Sequence, residues 1–224
     1  MRGRGTRTAV VALLLVGSVL MGTLVAGLGG CRPAPVTSGP VPDGQQIAMA
    51  LIPIEDTLPF WVADQKGYFR EEGVKVTLKT FASATERDAA LTAGEVDGAV
   101  ADLVATALLC AGGTRVTITS LTLGAEGREG RIAVLSPPGS PLKKVEDLRG
   151  AEIAVSPNSL IEYTVSRLLE KHGVAPTEVK MVSVPKIPVR FELLMAGKLA
   201  AAGLPDPFAA LAQKKGAQLI VDDV

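Results

Sequence analysis

Leu91-Thr-Ala-Gly-Glu-Val-Asp-Gly-Ala-Val-Ala-Asp102 has a counterpart in Leu194-Met-Ala-Gly-Lys-Leu-Ala-Ala-Ala-Gly-Leu-Pro-Asp206, with Leu91 and Leu194 103 residues apart. Both stretches read the same way. A helix ends at a glycine just past its last turn, and a short apolar run then climbs to an aspartate. A helix feeding a buried strand that ends on a helix-capping residue is one step of an α/β fold, and here the step occurs twice.

Working outward, the likeness extends in the same order. Ile47-Ala-Met-Ala-Leu-Ile-Pro53 is echoed by Ile153-Ala-Val-Ser-Pro157. Glu71-Glu-Gly-Val74, running into Val76–Phe81, is echoed by Glu170-Lys-His-Gly-Val174 and Val179-Lys-Met-Val-Ser-Val184. In the first half the spacing predicts a strand at Ile47–Ile52, a helix at Leu58–Lys66 and a helical continuation over Tyr68–Glu72. A half-buried strand at Val74–Phe81 and a helix at Ala84–Ala93 follow, then a strand at Ala99–Ala101, a helix at Leu103–Cys110 and a strand at Val116–Leu123. Strands alternating with helices imply parallel pairing. Two similar α/β lobes are expected, 46–131 and 132–224.

The first 30 residues have the pattern of a targeting segment. Arg2, Arg4 and Arg7 precede the apolar run Thr8–Leu20, and the stretch ends at Leu28-Gly-Gly-Cys31. Small residues directly before a cysteine form a lipobox, which makes Cys31 the expected lipidated first residue of the mature chain. A lipid there anchors the protein to the outer face of a membrane. Residues 31–45, with Pro33, Pro35, Pro40 and Pro42 among Gly, Ser and Thr, read as a flexible tether.

Composition narrows the partners. Lysine plus arginine number 23 and aspartate plus glutamate 23, so there is no basic excess to hold a nucleic acid. Aromatic residues make up only 4%, which favours an α/β domain over an all-β sandwich. With one histidine, His172, at a predicted helix end, and Cys110 expected to be a buried small apolar residue, neither a metal cluster nor a disulfide is expected. No cofactor is implied.

In open α/β sheets, ligands sit beyond the carboxyl ends of strands, where helix N-termini present free N–H groups. Four such junctions carry capping residues: Asp56 and Thr57 after the first strand, Asp102, the Ser156-Pro-Asn158-Ser159 loop, and Asp206. Two fall in each lobe, and facing one another they would line a cleft. Each residue is equally readable as an ordinary helix cap. Ser159 with Glu162 matches a capping box, as does Ser83 with Glu86, the latter assigned to structure. Trp61 and Tyr163, one turn into their helices, suit either a pocket wall or core. Thr106 is a weaker pocket candidate.

The string Asp56-Thr-Leu-Pro-Phe-Trp-Val-Ala-Asp-Gln-Lys-Gly-Tyr-Phe-Arg-Glu-Glu-Gly-Val-Lys-Val76 resembles the opening signature of the SsuA/TauA/THI5-like (NMT1) periplasmic binding proteins. Leu91–Gly98, Val145-Glu-Asp-Leu-Arg-Gly150 with Ile153–Val155, and Leu194–Phe208 match the family pattern in the same order, so the resemblance covers roughly 46–224. It implies a type II periplasmic-binding fold and capture of a small solute, such as a sulfonate, taurine, nitrate or a pyrimidine, for an ABC permease and ATPase. By position it carries over Asp56, Thr57, Asp102, Ser156, Asn158, Ser159 and Asp206 as pocket residues. The family continues past the position of Val224 with a return crossing to lobe 1, so the chain reads as truncated. Glu55 and Asp56 repel an anion at short range, which leaves room for a neutral or amine-bearing ligand.

The expected function is therefore an extracytoplasmic, lipid-anchored and monomeric solute-binding protein, not an enzyme. The alternatives are an enzyme on the same fold, a THI5-like pyrimidine synthase or a menaquinone-pathway lyase, and an exported sensor domain. No Gly-x-Ser-x-Gly or nucleophile–base pair is present in the sequence to support the enzyme.

Overall fold

A computed structural model describes residues 46–124, 126 and 129–224. The signal segment, Cys31 and the tether lie outside the described residues. Among the described residues, no helix is long and apolar enough to cross a membrane.

Among the described residues there are eight strands and seven α-helices, mostly in alternation. In lobe 1 these are β1 (Gln46–Leu51), α1 (Leu58–Lys66), α2 (Tyr68–Glu71), β2 (Lys75–Thr80), α3 (Ala84–Thr92), β3 (Gly98–Ala99) and α4 (Leu103–Ala111). Lobe 2 holds β4 (Ile132–Ser136), β5 (Glu152–Val155), α5 (Leu160–Lys171), β6 (Lys180–Ser183), α6 (Ile187–Met195), β7 (Ala201–Pro205), α7 (Phe208–Lys214) and β8 (Gln218–Asp222).

The local chemistry explains these boundaries. α1 starts with Pro59 in its first turn, where no N–H is needed, and stops at Gly67, whose φ of 82° suits a residue without a Cβ. Ser83 Oγ accepts from Glu86 N at 3.3 Å to open α3. Asp102 Oδ1 accepts from Ala105 N at 2.8 Å to open α4.

The strands form two sheets, β2-β1-β3 and β6-β5-β7-β4-β8. The triplets β2-β1-β3 and β6-β5-β7 have the same order and the same parallel sense. Ala50 lies opposite Lys79 and Ala99, as Ala154 lies opposite Val182 and Ala202. The echo seen in the sequence is a structural repeat. β4 and β8 add antiparallel strands to the second sheet only.

Burial is unequal between the lobes. Every residue of β4 and β7 is buried, as expected of strands covered on both faces. The main core gathers Leu135, Leu148, Ile153, Val165, Leu169 and Phe191 with many smaller residues of lobe 2. The core of lobe 1 is Ala50, Ala90 and Val96, with Ala48, Phe81, Leu91 and Ala99 packed against it.

Two expectations fail here. Val116–Leu123 is not a strand, although its β-branched alternation suits one. A strand exists only when a neighbour completes its ladder, and among the described residues no strand pairs with β3 on the side away from β1. Cys110 is exposed and not buried. α4 is apolar all round, so its composition does not say which side meets the core. Ala105 and Leu109 face inward, leaving Leu103 and Leu108 exposed with Cys110.

Candidate functional site

β4, in the second sheet, begins directly after Gly130–Arg131, and loops from both sheets are tied to that segment. Gly130 N donates to Glu55 Oε1 at 2.7 Å, and Asp206 N donates to Arg131 O at 3.0 Å. Ile52 belongs to the core of lobe 2, and Ile54 and Ala84 pack against it. Ile187 N donates to Ala82 O, and Lys186 Nζ meets Glu86 Oε1 at 3.0 Å, holding the Glu86 carboxyl below its ordinary range. Glu86 thus does more than cap α3: it also bridges the lobes.

On the lobe 1 side, Ile52–Thr57 closes β1. Thr57 is buried, and its hydroxyl lies 2.9 Å from Ile52 O and 2.8 Å from Ile54 O, which folds the turn on itself. Its role is to build the loop. Asp56 occupies the middle of that turn. Burial pushes its carboxyl up to about 6; the Arg87 guanidinium acts against this, and Asp102 and Glu55 add to it. Asp56 Oδ1 is buried without a hydrogen-bond partner. Asp102 lies at the head of α4, with Thr106 Oγ1 donating to its backbone oxygen at 2.9 Å. Trp61 is half-buried on α1.

On the lobe 2 side, Ser156–Ser159 closes β5. Asn158 has φ 53°, the one positive value for a non-glycine among the described residues. The capping box expected of Ser159 and Glu162 is not formed. Ser159 Oγ instead donates to Ser156 O at 2.6 Å, and Glu162 Oε2 accepts from Asn158 N at 2.7 Å, so α5 begins with no side-chain cap. The left-handed Asn158 turns the loop so that its own amide, and not that of Ser159, meets Glu162. Tyr163 is 55% exposed. Asp206 is engaged: it pairs with Arg131 Nε and Nη2 at 3.0 and 3.1 Å and accepts from Ala210 N at 2.9 Å. Arg131 also reaches Asp222 at 3.4 Å, and this company holds its guanidinium above its ordinary range, Asp206 contributing most.

Two residues that the sequence reading passed over lie beneath these loops. Arg190 is fully buried on α6. Its Nε donates to Gly203 O at 2.8 Å, and its Nη1 to Ser156 Oγ at 2.9 Å and to Val184 O. One guanidinium therefore ties the carboxyl ends of β5 and β6 to the middle of β7. No carboxylate is among these partners, Nη2 has none, and burial lowers the group to about 10. Arg87 on α3, 2% exposed, donates from Nη1 to Val100 O at 3.1 Å and from Nε to Asp88 at 2.7 Å, with Nη2 unpartnered. Arg87 and Arg190 share the 103-residue spacing of Leu91 and Leu194, the signal that could have found them.

Two cavities lie nearby. The smaller, about 290 Å³, is between the lobes, with Thr85, Asp88, Thr92 and Leu109 on one wall and Pro157 and Asn158 on the other. The larger, about 550 Å³, lies beside β3, lined by Thr106, Leu109 and the extended Thr114–Ser120 segment. Of the candidates, Asn158 and Thr106 line these cavities. The structure brings Asp56 and Asp102 together electrostatically and Ser156, Asn158 and Ser159 in one loop. Asp56, Thr57, Trp61, Asp102, Ser156, Ser159, Tyr163 and Asp206 line neither cavity. Among the described residues no group of three or more His, Cys, Asp or Glu could hold a metal.

This architecture is that of known binding proteins. The chain is similar to the alkanesulfonate-binding protein SsuA from Xanthomonas axonopodis pv. citri, solved with MOPS, at 22% identity and TM-score 0.65, over 82% of this chain and 62% of that one. It is similar to the aliphatic sulphonate binding protein SsuA from Escherichia coli at 18% identity and TM-score 0.60, over 80% and 60%. The ligand-binding component of an ABC-type import system from Staphylococcus aureus, with zinc bound, aligns at 16% identity and TM-score 0.66, over 80% and 61%. The chain thus spans about three-fifths of the length of these proteins and shares their two-lobed type II periplasmic-binding fold. No match was found among curated protein sequences. The family model described as NMT1/THI5 like matches residues 55–219, and the chain belongs to that family.

Proposed function

We propose that the protein is the extracytoplasmic, lipid-anchored solute-binding component of an ABC importer, and not an enzyme. The observation that carries this reading is the junction itself. Loops from the carboxyl ends of β1 and β7 are tied to the Gly130–Arg131 segment, and α1 and α7 begin just beyond them. A small solute meets both lobes only when they close, so binding shifts the population toward the closed form, which a permease can recognise. Cys31 as lipid anchor and residues 31–45 as tether fit that setting. Sulfonates and related small solutes are the first class to try, because the similar structures include sulfonate-binding proteins.

Thermal-shift screening of the purified chain against sulfonates, nitrate, aminopyrimidines and short amines tests this reading. A ligand at 100 times its Kd adds about 2.7 kcal/mol of stability. Absence of any stabilising solute, or turnover of one, removes the capture reading.

A further inference from the structure

We infer that Lys186 and Ile187, at the start of α6, form a latch with Ala82–Glu86, the turn into α3. This contact sets how much of the solute-free chain is closed. The inference concerns the lobes themselves and needs no solute to be identified, so it stands or falls apart from the capture reading.

Its place in the two sheets separates it from the other ties. α3 follows β2 and α6 follows β6, and each of these strands is the outer one of its sheet. The ties at Gly130–Arg131 lie next to β4. In the order β6-β5-β7-β4-β8, β4 stands three strand spacings from β6, about 14 Å. β5, whose Ser156–Ser159 loop carries the lobe 2 candidates, lies between them. A rotation of the lobes about the Gly130–Arg131 ties therefore parts the contact at β2 and β6. One set of ties acts as pivot and the other as catch.

The catch combines three kinds of contact. Ile187 is the first residue of α6, which has no side-chain cap, so its amide has no partner within the helix. Lobe 1 supplies that partner: Ile187 N donates to Ala82 O at 3.1 Å. Ala84 packs against the lobe 2 core, to which the buried Ile187 belongs. Lys186 Nζ meets Glu86 Oε1 at 3.0 Å. The other oxygen of that carboxylate accepts from Ala82 N at 3.1 Å, so its own turn already holds Glu86 in place and only the lysine has to be ordered. The lysine and glutamate side chains are 54% and 39% exposed, which makes the ion pair the part that salt can weaken. A chain that is partly closed before a solute arrives loses less affinity to the cost of closing.

Hydrogen exchange at the Ile187 amide reads the latch directly, and small-angle scattering reads the separation of the lobes. Both are measured on the purified full chain without solute. Lys186→Glu is expected to lower the protection factor of Ile187 about threefold to tenfold and to raise the radius of gyration. Phe191 within α6 and Ala154 in β5 keep their protection. Lys186→Arg behaves as wild type. Lys186→Gln gives a smaller effect of the same sign, and it carries the test if the charge reversal disturbs the fold. Arg167→Glu makes the same charge change at another exposed pair, that with Glu170 within α5, and leaves Ile187 unchanged. Raising salt from about 0.05 to about 1 M lowers Ile187 protection in the wild type and not in Lys186→Gln. Unchanged protection in Lys186→Glu, or an equal loss in Arg167→Glu, overturns the latch. Faster exchange at Ile187 with an unchanged radius of gyration also overturns it, because the helix start then frays with the lobes still together. Failure of every solute to bind removes capture and leaves these outcomes as they are.

Discussion

Arg87 and Arg190 occupy corresponding places in the two lobes, and each donates to a carbonyl at the corresponding position of the repeat, Val100 O at 3.1 Å and Gly203 O at 2.8 Å. They differ in their remaining partners. Arg190 finds Ser156 Oγ at the end of β5, and the strand pairing puts Ile52, which offers no side-chain acceptor, at the matching place in lobe 1. Arg87 turns to Asp88 instead. One repeated scaffold therefore holds its two buried guanidiniums by different partners.

Arg190→Met tests the scaffold role. Methionine fills much of the volume but leaves Gly203 O and Val184 O unsatisfied, so a loss of about 2–4 kcal/mol is expected. Arg87→Met strips one carbonyl and is expected to cost about 1–2 kcal/mol. Urea denaturation of both variants measures the difference, and equal losses would remove the three-strand tie as the explanation.

Asp56→Asn tests what the charge of Asp56 costs the fold. The folded pKa of Asp56, about 6, lies above its ordinary 3.8, so the folded chain binds this proton more tightly than the unfolded one. The stability this adds is complete below about pH 4 and is lost as pH rises through about 6. At about pH 7.5 the charged, partly buried carboxylate costs on the order of 1–3 kcal/mol, which asparagine does not incur. The variant is expected to melt higher than wild type near neutrality and equally at about pH 4. A pH series of melting curves checks it; a constant offset at every pH would mean that the charge of Asp56 is not the cause.

Much of this was legible in the sequence because the signals were local. α1 runs from Leu58 to Lys66 as its proline and glycine punctuation indicates, and Asp102 caps α4 as its residue type suggests. The paired lobes were legible because the repeat preserves both spacing and order. What was hidden depends on neighbours distant in the chain. Val116–Leu123 has the composition of a strand but no ladder partner. Cys110 lies on an apolar helix whose inward face only packing defines. Ser159 loses its cap to the left-handed turn at Asn158. Arg87 and Arg190 were invisible as functional residues because a charged side chain on a helix reads as exposed until its acceptors are seen.

Gly203 and Gly98 make a matched pair for packing. A Cβ at Gly203 would lie 2.8 Å from Val165 Cγ2 and 3.0 Å from Ile161 Cγ2, branched side chains held in the core. At Gly98 it would meet Met49 Sδ at 2.8 Å and Cε at 3.1 Å, the movable end of a flexible chain. Gly203→Ala is expected to cost about 1–3 kcal/mol. Gly98→Ala is expected to cost under about 1 kcal/mol. Chemical denaturation ranks them, and the reverse order would mean that β3 is the more rigid strand.

The unequal cores predict unequal protection from hydrogen exchange. Lobe 2 buries Leu135, Leu148, Ile153, Leu169 and Phe191 around β5 and β7, and each fully buried side chain of this size contributes about 1.5–3 kcal/mol. Lobe 1 holds β1 with Ala50, Ala90 and Val96, while Leu103 is 76% and Leu121 73% exposed. Opening β1 from β2 and β3 exposes Ala50 and Leu51 but leaves the larger lobe 2 core intact, so it costs less than global unfolding. Amides of β1 are therefore expected to exchange at least about tenfold faster than those of β5, although the two strands have the same pairing. A stabilising solute that bridges the lobes should slow β1 more than β5, since it ties the weaker half to the stronger one. Equal protection in both strands without solute would show that the lobes unfold together, and the junction at Gly130–Arg131 would then be a rigid seam and not a hinge.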